Sequence, residues 1–271
     1  MIKIATIAGS DASGGAGLEA DLKTFEEYGL YGMAAVTLIA TMDPNANWSH
    51  RVFPVAEEAL RAQLETIFRG VGPHAVKSGM LGTQHAVDLT AEYIRACKME
   101  KYVLDPVMVC KGADEALNPE LNAAIAEKLL PLAHIATPNL FEAQQLSGLK
   151  EIKSLEAMKE AARIINGKGA RHVFVKGGSK LPLCDKAVDL LYDGRNFELL
   201  EDELIKTRWT HGAGCTTAAA IAAGLARGLS VPEALRLAKR FITLSLKQSF
   251  ALNKWVGPGN PSGWRGGSLF A

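Results

Sequence analysis

The sequence predicts an α/β fold: a mostly parallel open sheet covered on both faces by helices, with a small antiparallel hairpin at one edge. Three observations carry that expectation. Short apolar runs rich in β-branched residues alternate with amphipathic helical stretches, and strands alternating with helices run parallel and are joined by right-handed crossovers. The chain has 271 residues, 48% of them hydrophobic, enough to bury a sizeable core and too apolar for disorder. No internal repeat or linker composition interrupts it. A single domain over 1–256 is therefore expected, followed by a tail over 257–271 whose glycines and prolines favour irregular or mobile chain.

Residues 2–8 (Ile-Lys-Ile-Ala-Thr-Ile-Ala) read as the first strand, followed by a Gly-rich loop and a helix with Leu18, Leu22 and Phe25 on one face. The unit then recurs: apolar 33–41 before helical 56–69, 74–78 before 84–97, 102–104 before 119–130, and 134–136 before a helix starting near Asn139. Helical 154–167 leads into a strand over 172–175, and 187–200 reads as the hairpin, turning at Asp193-Gly194. Two core-packing helices close the chain, 214–225 and 231–250, the second with Leu235, Ala238, Ile242 and Leu246 at spacings of three and four.

Composition narrows the function classes. With 30 Lys plus Arg against 29 Asp plus Glu, the net charge of +1 supplies no electrostatic footprint for nucleic acid or an anionic membrane. A small-molecule partner is expected. The amino-terminal run turns polar at Ser10 and Asp11, too soon for a secretory segment. The longest uncharged stretch, 209–226, opens with Thr210, His211, Gly212 and Gly214, which suits a loop entering a helix better than a bilayer span. The four cysteines, Cys97, Cys110, Cys184 and Cys215, show no C-x-x-C pairing, so reduced thiols in the cytoplasm are expected.

In an open α/β sheet, ligands bind beyond the carboxyl ends of the strands. Those places hold Gly9 to Gly17, Gly79-Met80, Asp105 to Gly112, Thr137-Pro138-Asn139 and Lys176 to Lys180. The first loop has four glycines in nine residues, which lets backbone amides approach an anion or the polar edge of a ring. It lacks the Lys-Ser/Thr of a P-loop and the spacing of a dinucleotide fingerprint. Asp21, at the margin of the next helix's apolar stripe, could reach a polar ligand or simply be solvated. Gly212, Ala213 and Gly214 leave the backbone open at a helix start, where free N–H groups and a dipole of about +0.5 charge stabilise a transferring phosphoryl group. Cys215 stands beside that anion hole, placed to accept a proton from an attacking hydroxyl. A helix N-terminus lowers a thiol pKa and a nearby triphosphate raises it, and the balance stays open at this point. Asp105 and Glu142 could each hold Mg²⁺ directly or through water, and Glu142 equally suits the first turn of a helix. Lys176, Gly177, Gly178, Ser179 and Lys180 offer amides and cations suited to nucleotide phosphates.

Six motifs in order span residues 2–256: Ala8-Gly-Ser-Asp11 with Ser13-Gly-Gly-Ala-Gly17 and Ala20-Asp-Leu-Lys23, Lys77-Ser-Gly-Met80, Asp105-Pro-Val-Met108, Thr137-Pro-Asn139 with Glu142-Ala143, Val175-Lys-Gly-Gly178, and His211-Gly-Ala-Gly-Cys-Thr216. Together they resemble the ribokinase-like superfamily, and within it the branch of hydroxymethylpyrimidine kinases and pyridoxine/pyridoxal kinases. The resemblance implies a three-layer Rossmann-like sandwich, ATP and Mg²⁺, a homodimer, and phosphorylation of a hydroxymethyl group on a pyrimidine or pyridine; any K⁺ requirement stays open. By the same resemblance, Gly212 to Gly214 are the anion hole and Cys215 replaces the Asp usual elsewhere in the superfamily. Asn139, Glu142 and Gly214 serve the nucleotide and Mg²⁺, Lys176 to Lys180 form the nucleotide loop, and Asp21, Met80 and Val107 line the ring pocket with Gly9, Asp11 and Asp105. The pyrimidine kinases usually carry Gln in the loop after the second strand, where this chain has Thr41-Met42-Asp43-Pro44 and then Asn47-Trp48. That loop, 107–112 and the ending Gln248 to Pro258 resemble the pyridoxine/pyridoxal kinases. Cys110 could also add reversibly to an aldehyde as a hemithioacetal, chemistry a pyrimidine without a carbonyl does not offer. The implied reaction is ATP-dependent phosphorylation of the 5′-hydroxymethyl of pyridoxal, pyridoxine or pyridoxamine; hydroxymethylpyrimidine or its phosphate is the alternative acceptor, or both serve.

Overall fold

The structure, a computed structural model, describes residues 1–108, 119–183 and 186–265. Cys110 and Cys184 lie outside the described residues. The elements run β1 (Lys3–Asp11), α1 (Gly17–Glu27), β2 (Tyr31–Asp43), β3 (Ser49–Pro54), α2 (Glu57–Glu65), β4 (Ala75–Ser78), α3 (Gln84–Ala96), β5 (Tyr102–Leu104), α4 (Pro119–Ala124), β6 (Ile135–Ala136), α5 (Leu140–Ser147), α6 (Leu155–Gly167), β7 (His172–Leu183), β8 (Lys186–Tyr192), β9 (Phe197–Glu203), α7 (Ala213–Ala226) and α8 (Val231–Lys247).

Among the described residues the strands form one nine-stranded sheet in the order β3-β2-β1-β4-β5-β6-β7-β8-β9. From β2 to β7 every neighbouring pair is parallel. The central strands are largely apolar because helices cover both faces, with Thr6, Lys77 and Ser78 as buried polar exceptions. Ala5, Ile7, Val76, Tyr102 and Leu104 join a core with Leu60, Val87, Leu129, Leu146 and Ile165 from α2, α3, α5, α6 and the turns after α4. The alternate positions Ile4, Ala75, Val103, Ile135 and Phe174 face the other way, into a core with Phe25, Ile221, Leu235 and Phe241 from α1, α7 and α8. That is the expected three-layer sandwich.

Three features differ from the sequence reading. The expected hairpin is β8–β9, but β7 also pairs antiparallel with β8, and β2–β3 adds a second antiparallel edge. Strand β3 (Ser-His-Arg-Val-Phe-Pro) is largely exposed and has no apolar face for a periodicity to reveal. Strand β7 continues to Leu183 through register slips on either side of Gly178, where Gly-Gly and lysines disguise it. Residues 257–265 are held to the body: His211 N donates to Gly257 O and Asn260 N to Ser245 O, both at 3.0 Å, while Trp264 and Arg265 bond Glu27. Among the described residues no helix is long and apolar enough to cross a membrane.

Candidate active site

The carboxyl ends of the parallel strands open into a cleft of about 510 Å³, closed along one side by α7 and α8. Its floor is made by two glycine loops pressed together. Gly212 caps α7 at φ 74°, and a Cβ there would lie 1.9 Å from Gly15 O. Gly17 opens α1 at φ 58°, with a Cβ position 2.3 Å from Gly9 O. Both the left-handed backbone and the close approach require glycine. Ala213, Gly214 and Cys215 at the start of α7 thus line the cleft, with the Ala213 amide donating to Thr210 O at 3.2 Å.

Asp11 and His211 tie the two loops. His211 Nε2 bonds Asp11 Oδ2 at 2.7 Å, and the same carboxylate accepts the Ser13 and Ala16 amides at 2.8 and 2.9 Å. Burial alone would raise the Asp11 carboxyl, but the hydrogen bonds from His211 and Ser13 outweigh it and hold the group at about 2. Asp11 reaches the cleft wall, as expected, with its oxygens already engaged by protein.

Cys215 lies on that wall. Burial pushes its thiol up to about 11 against the pull of Lys77, with Asp105 and Asp21 adding to the rise and the Gly17 amide opposing it. The resting group is therefore the protonated thiol. Desolvation, which the sequence reading did not weigh, outweighs the pull of Lys77 before any phosphate arrives.

Asp21 is the one described site expectation that the cleft does not include. It is fully buried, and its oxygens accept Lys77 Nζ at 2.8 and 3.0 Å and Thr6 Oγ1 at 2.6 Å. Instead of meeting a ligand, it compensates a lysine that itself lines the cleft. Gly79 makes room for that lysine, since a Cβ there would lie 2.8 Å from Nζ.

On the next strands, Lys176 Nζ donates to Asp105 Oδ1 at 2.8 Å, with Thr137 Oγ1 on the same oxygen at 3.3 Å. The Lys176 amine also sits over the α7 start, 3.5 Å from where a Gly214 Cβ would be. Asn139 and Glu142 form a reciprocal capping box on α5, so Glu142 is both a first-turn residue and a cleft residue. Burial raises its carboxyl to about 7; Lys176 pulls it down and Asp105 pushes it further up. Asp105 and Glu142, two buried carboxylates that line the cleft and repel each other, are hard-oxygen donors of the kind Mg²⁺ takes. Among the described residues no cluster of three or more ligating side chains exists.

From this centre the cleft has two arms. One runs between β7–β9 and α8, past Gly177, Gly178, Ser179 and Lys180 to the apolar Leu204, Ile205, Ile242 and Leu246. The other lies under β2 and β3, with Gly9, Leu38, Met42, His50, Met80 and Val107. Cys110 falls outside the described residues. Sequence reasoning missed His50, Lys77, Asp189, His211 and Lys239 as cleft residues; for Lys77, a lysine inside the apolar run Ala-Val-Lys-Ser was the available signal.

The family described as phosphomethylpyrimidine kinase matches residues 11–260. The pyridoxine kinase of Bacillus subtilis is 54% identical over 98% of this chain and 97% of its own length. The hydroxymethylpyrimidine/phosphomethylpyrimidine kinase of the same organism is 38% identical over 99% and 98%. Among solved structures, an ADP complex of Bacillus subtilis pyridoxal kinase superposes with a TM-score of 0.95 at 54% identity, covering 98% of this chain and 99% of that one. Staphylococcus aureus pyridoxal kinase in complex with AMP-PCP and pyridoxal gives 0.91 at 46% identity, covering 97% and 95%.

Proposed function

The chain belongs to the phosphomethylpyrimidine kinase family, and from that premise we propose that it phosphorylates the 5′-hydroxymethyl group of pyridoxal, pyridoxine or pyridoxamine with ATP. The observation that carries this reading is one cleft wall on which the start of α7, Cys215 and Lys176 meet, between the lining residues of β1 and β2 and the Gly-Lys segment of β7. Relatives named for vitamin B6 kinases are closer to this chain than those named for pyrimidine kinases. Met42 also lines the cleft, in the segment 41–44 where the resemblance places the glutamine of the pyrimidine kinases; the sequence reads that segment as a loop, but β2 runs on through Asp43 because it pairs with β3.

The vitamin lies under β2 and β3 and the nucleotide along β7, so that the hydroxymethyl oxygen faces the γ-phosphorus at the α7 start. The new O–P bond forms as the bond from the γ-phosphorus to the bridging oxygen of the departing ADP breaks, and the hydroxyl proton passes to Cys215 in its thiolate form, a minor fraction at neutral pH because burial raises the thiol. The chain's own contribution is positioning and charge: the amides of Gly214 and Cys215 and the Lys176 amine meet the phosphoryl oxygens, in a reaction governed mainly by geometry and electrostatics. Glu142 and Asp105 would hold Mg²⁺, which when bound neutralises phosphate charge. The homodimer rests on the family resemblance, and the reducing cytoplasmic setting on the four cysteines' lack of C-x-x-C pairing.

An ADP-release assay across pyridoxal, pyridoxine, pyridoxamine and hydroxymethylpyrimidine tests the reading. The expected result is the highest kcat/KM with a B6 vitamer. A pyrimidine preference of about tenfold, roughly 1.4 kcal/mol of transition-state discrimination, would transfer the assignment to the pyrimidine kinases, the alternative acceptor class.

A further inference from the structure

The nucleotide arm contains a buried ion pair that phosphoryl transfer does not use. Lys239 of α8 is 7% exposed and Asp189 of β8 is 6% exposed; Lys239 Nζ donates to Asp189 Oδ2 at 2.6 Å. The other carboxylate oxygen accepts the Gly178 amide at 3.0 Å. Gly178 has φ +50° and sits where the β7–β8 register slips. Gly177 is pressed against β8 as well, since a Cβ there would lie 2.4 Å from Val188 O. A chain of contacts therefore runs from α8 through Asp189 to the backbone of the Gly-Lys segment, and Lys239, Asp189 and Gly178 all line the cleft.

We propose that Lys239 and Asp189 are positioning residues for the nucleotide, fixing the Gly178 backbone and keeping the arm free of uncompensated negative charge. The proposal rests on the reading of that arm as the nucleotide site. A pair serving only to fasten α8 to β8 would not need to reach the Gly178 amide or border the cleft. Without Lys239, a buried carboxylate would face an incoming polyphosphate, and unpaired buried charge is strongly unfavourable.

The test uses the full chain, with steady-state kinetics in pyridoxal and ATP and calorimetric titration with ADP. Lys239→Met should raise the KM for ATP and the ADP Kd by about tenfold or more, roughly 1.4 kcal/mol, while the KM for pyridoxal stays within about twofold. Lys239→Gln, which retains a hydrogen bond to Asp189, supplies the same comparison if the Met variant does not fold. Adding Asp189→Asn to Lys239→Met removes the stranded charge and should bring the ATP KM most of the way back, a rescue that a purely structural role would not produce. The proposal is overturned if ADP affinity in the folded Lys239 variants stays at the wild-type value, or if both KM values rise together. Wild-type protein that binds ADP but phosphorylates no vitamer would instead sink the assigned reaction, leaving the ADP titration to judge the pair.

Discussion

Cys215 shows how a residue type visible in sequence acquires its chemistry only from its surroundings. With the thiol pushed up to about 11 by burial, its thiolate is scarce at neutral pH and grows as pH rises. If Cys215 takes the hydroxyl proton as thiolate, kcat should climb between about pH 7 and 9, and Cys215→Ala should flatten that climb while lowering kcat by about 10²-fold or more; unchanged turnover would remove it from the mechanism. Asp11 carries the opposite sign. Held at about 2 against 3.8 unfolded, it contributes stability that is present above pH ~4 and is lost as pH falls toward 2, about 2 kcal/mol by linkage. Urea unfolding should therefore show Asp11→Asn less stable than wild type at pH 7, with the gap narrowing toward pH 3; a constant gap would mean that the His211 contact contributes nothing electrostatic. The first glycine loop and the carboxylates at strand ends were legible in the sequence because they follow apolar runs, and Cys215 because Gly-Ala-Gly opens a small-residue helix there. Their partners were not. Asp11 and His211 stand 200 positions apart, Asp105 and Lys176 71, and Asp21 and Lys77 56, and no local pattern encodes such pairings.

Elements are legible to the extent that they bury a face. Strands β1, β4, β5 and β6 and the amphipathic helices stood out because tertiary burial and sequence periodicity coincide there, whereas β3 is an exposed edge stabilised by backbone pairing with β2. The Lys77–Asp21 pair joins three elements at once, Thr6 of β1, Asp21 of α1 and Lys77 of β4, entirely out of solvent. Taking away one partner strands a buried charge, whereas taking away both leaves only a packing defect. Lys77→Met should thus lower unfolding free energy by about 3–5 kcal/mol, and Lys77→Met with Asp21→Leu by distinctly less. Additive losses in that double-mutant cycle would show that the two side chains act separately, contrary to the geometry.

Across the whole molecule, the balance of 30 basic and 29 acidic residues recurs around the cleft, where Lys77 pairs with Asp21 behind its wall, Lys176 with Asp105 and Lys239 with Asp189. With these cations largely compensated by their own partners, much of the attraction for a polyphosphate falls to the α7 start, Lys180 and a metal that arrives with the nucleotide. Since the described residues offer no cluster of three or more ligating side chains, Mg²⁺ should bind poorly by itself. A nucleotide placed along β7 as proposed would touch β7, β8, α7 and α8 together, so its binding should stabilise the sheet's carboxyl end as one unit, by RT ln(1 + [L]/Kd). Thermal unfolding should accordingly show almost no shift with Mg²⁺ alone, a rise of a few degrees with ADP, and a larger rise with both, the extra part disappearing on chelation. A large shift from Mg²⁺ alone would reveal a preformed cation site and reassign Asp105 and Glu142 from helpers of a bound nucleotide to a resident metal centre.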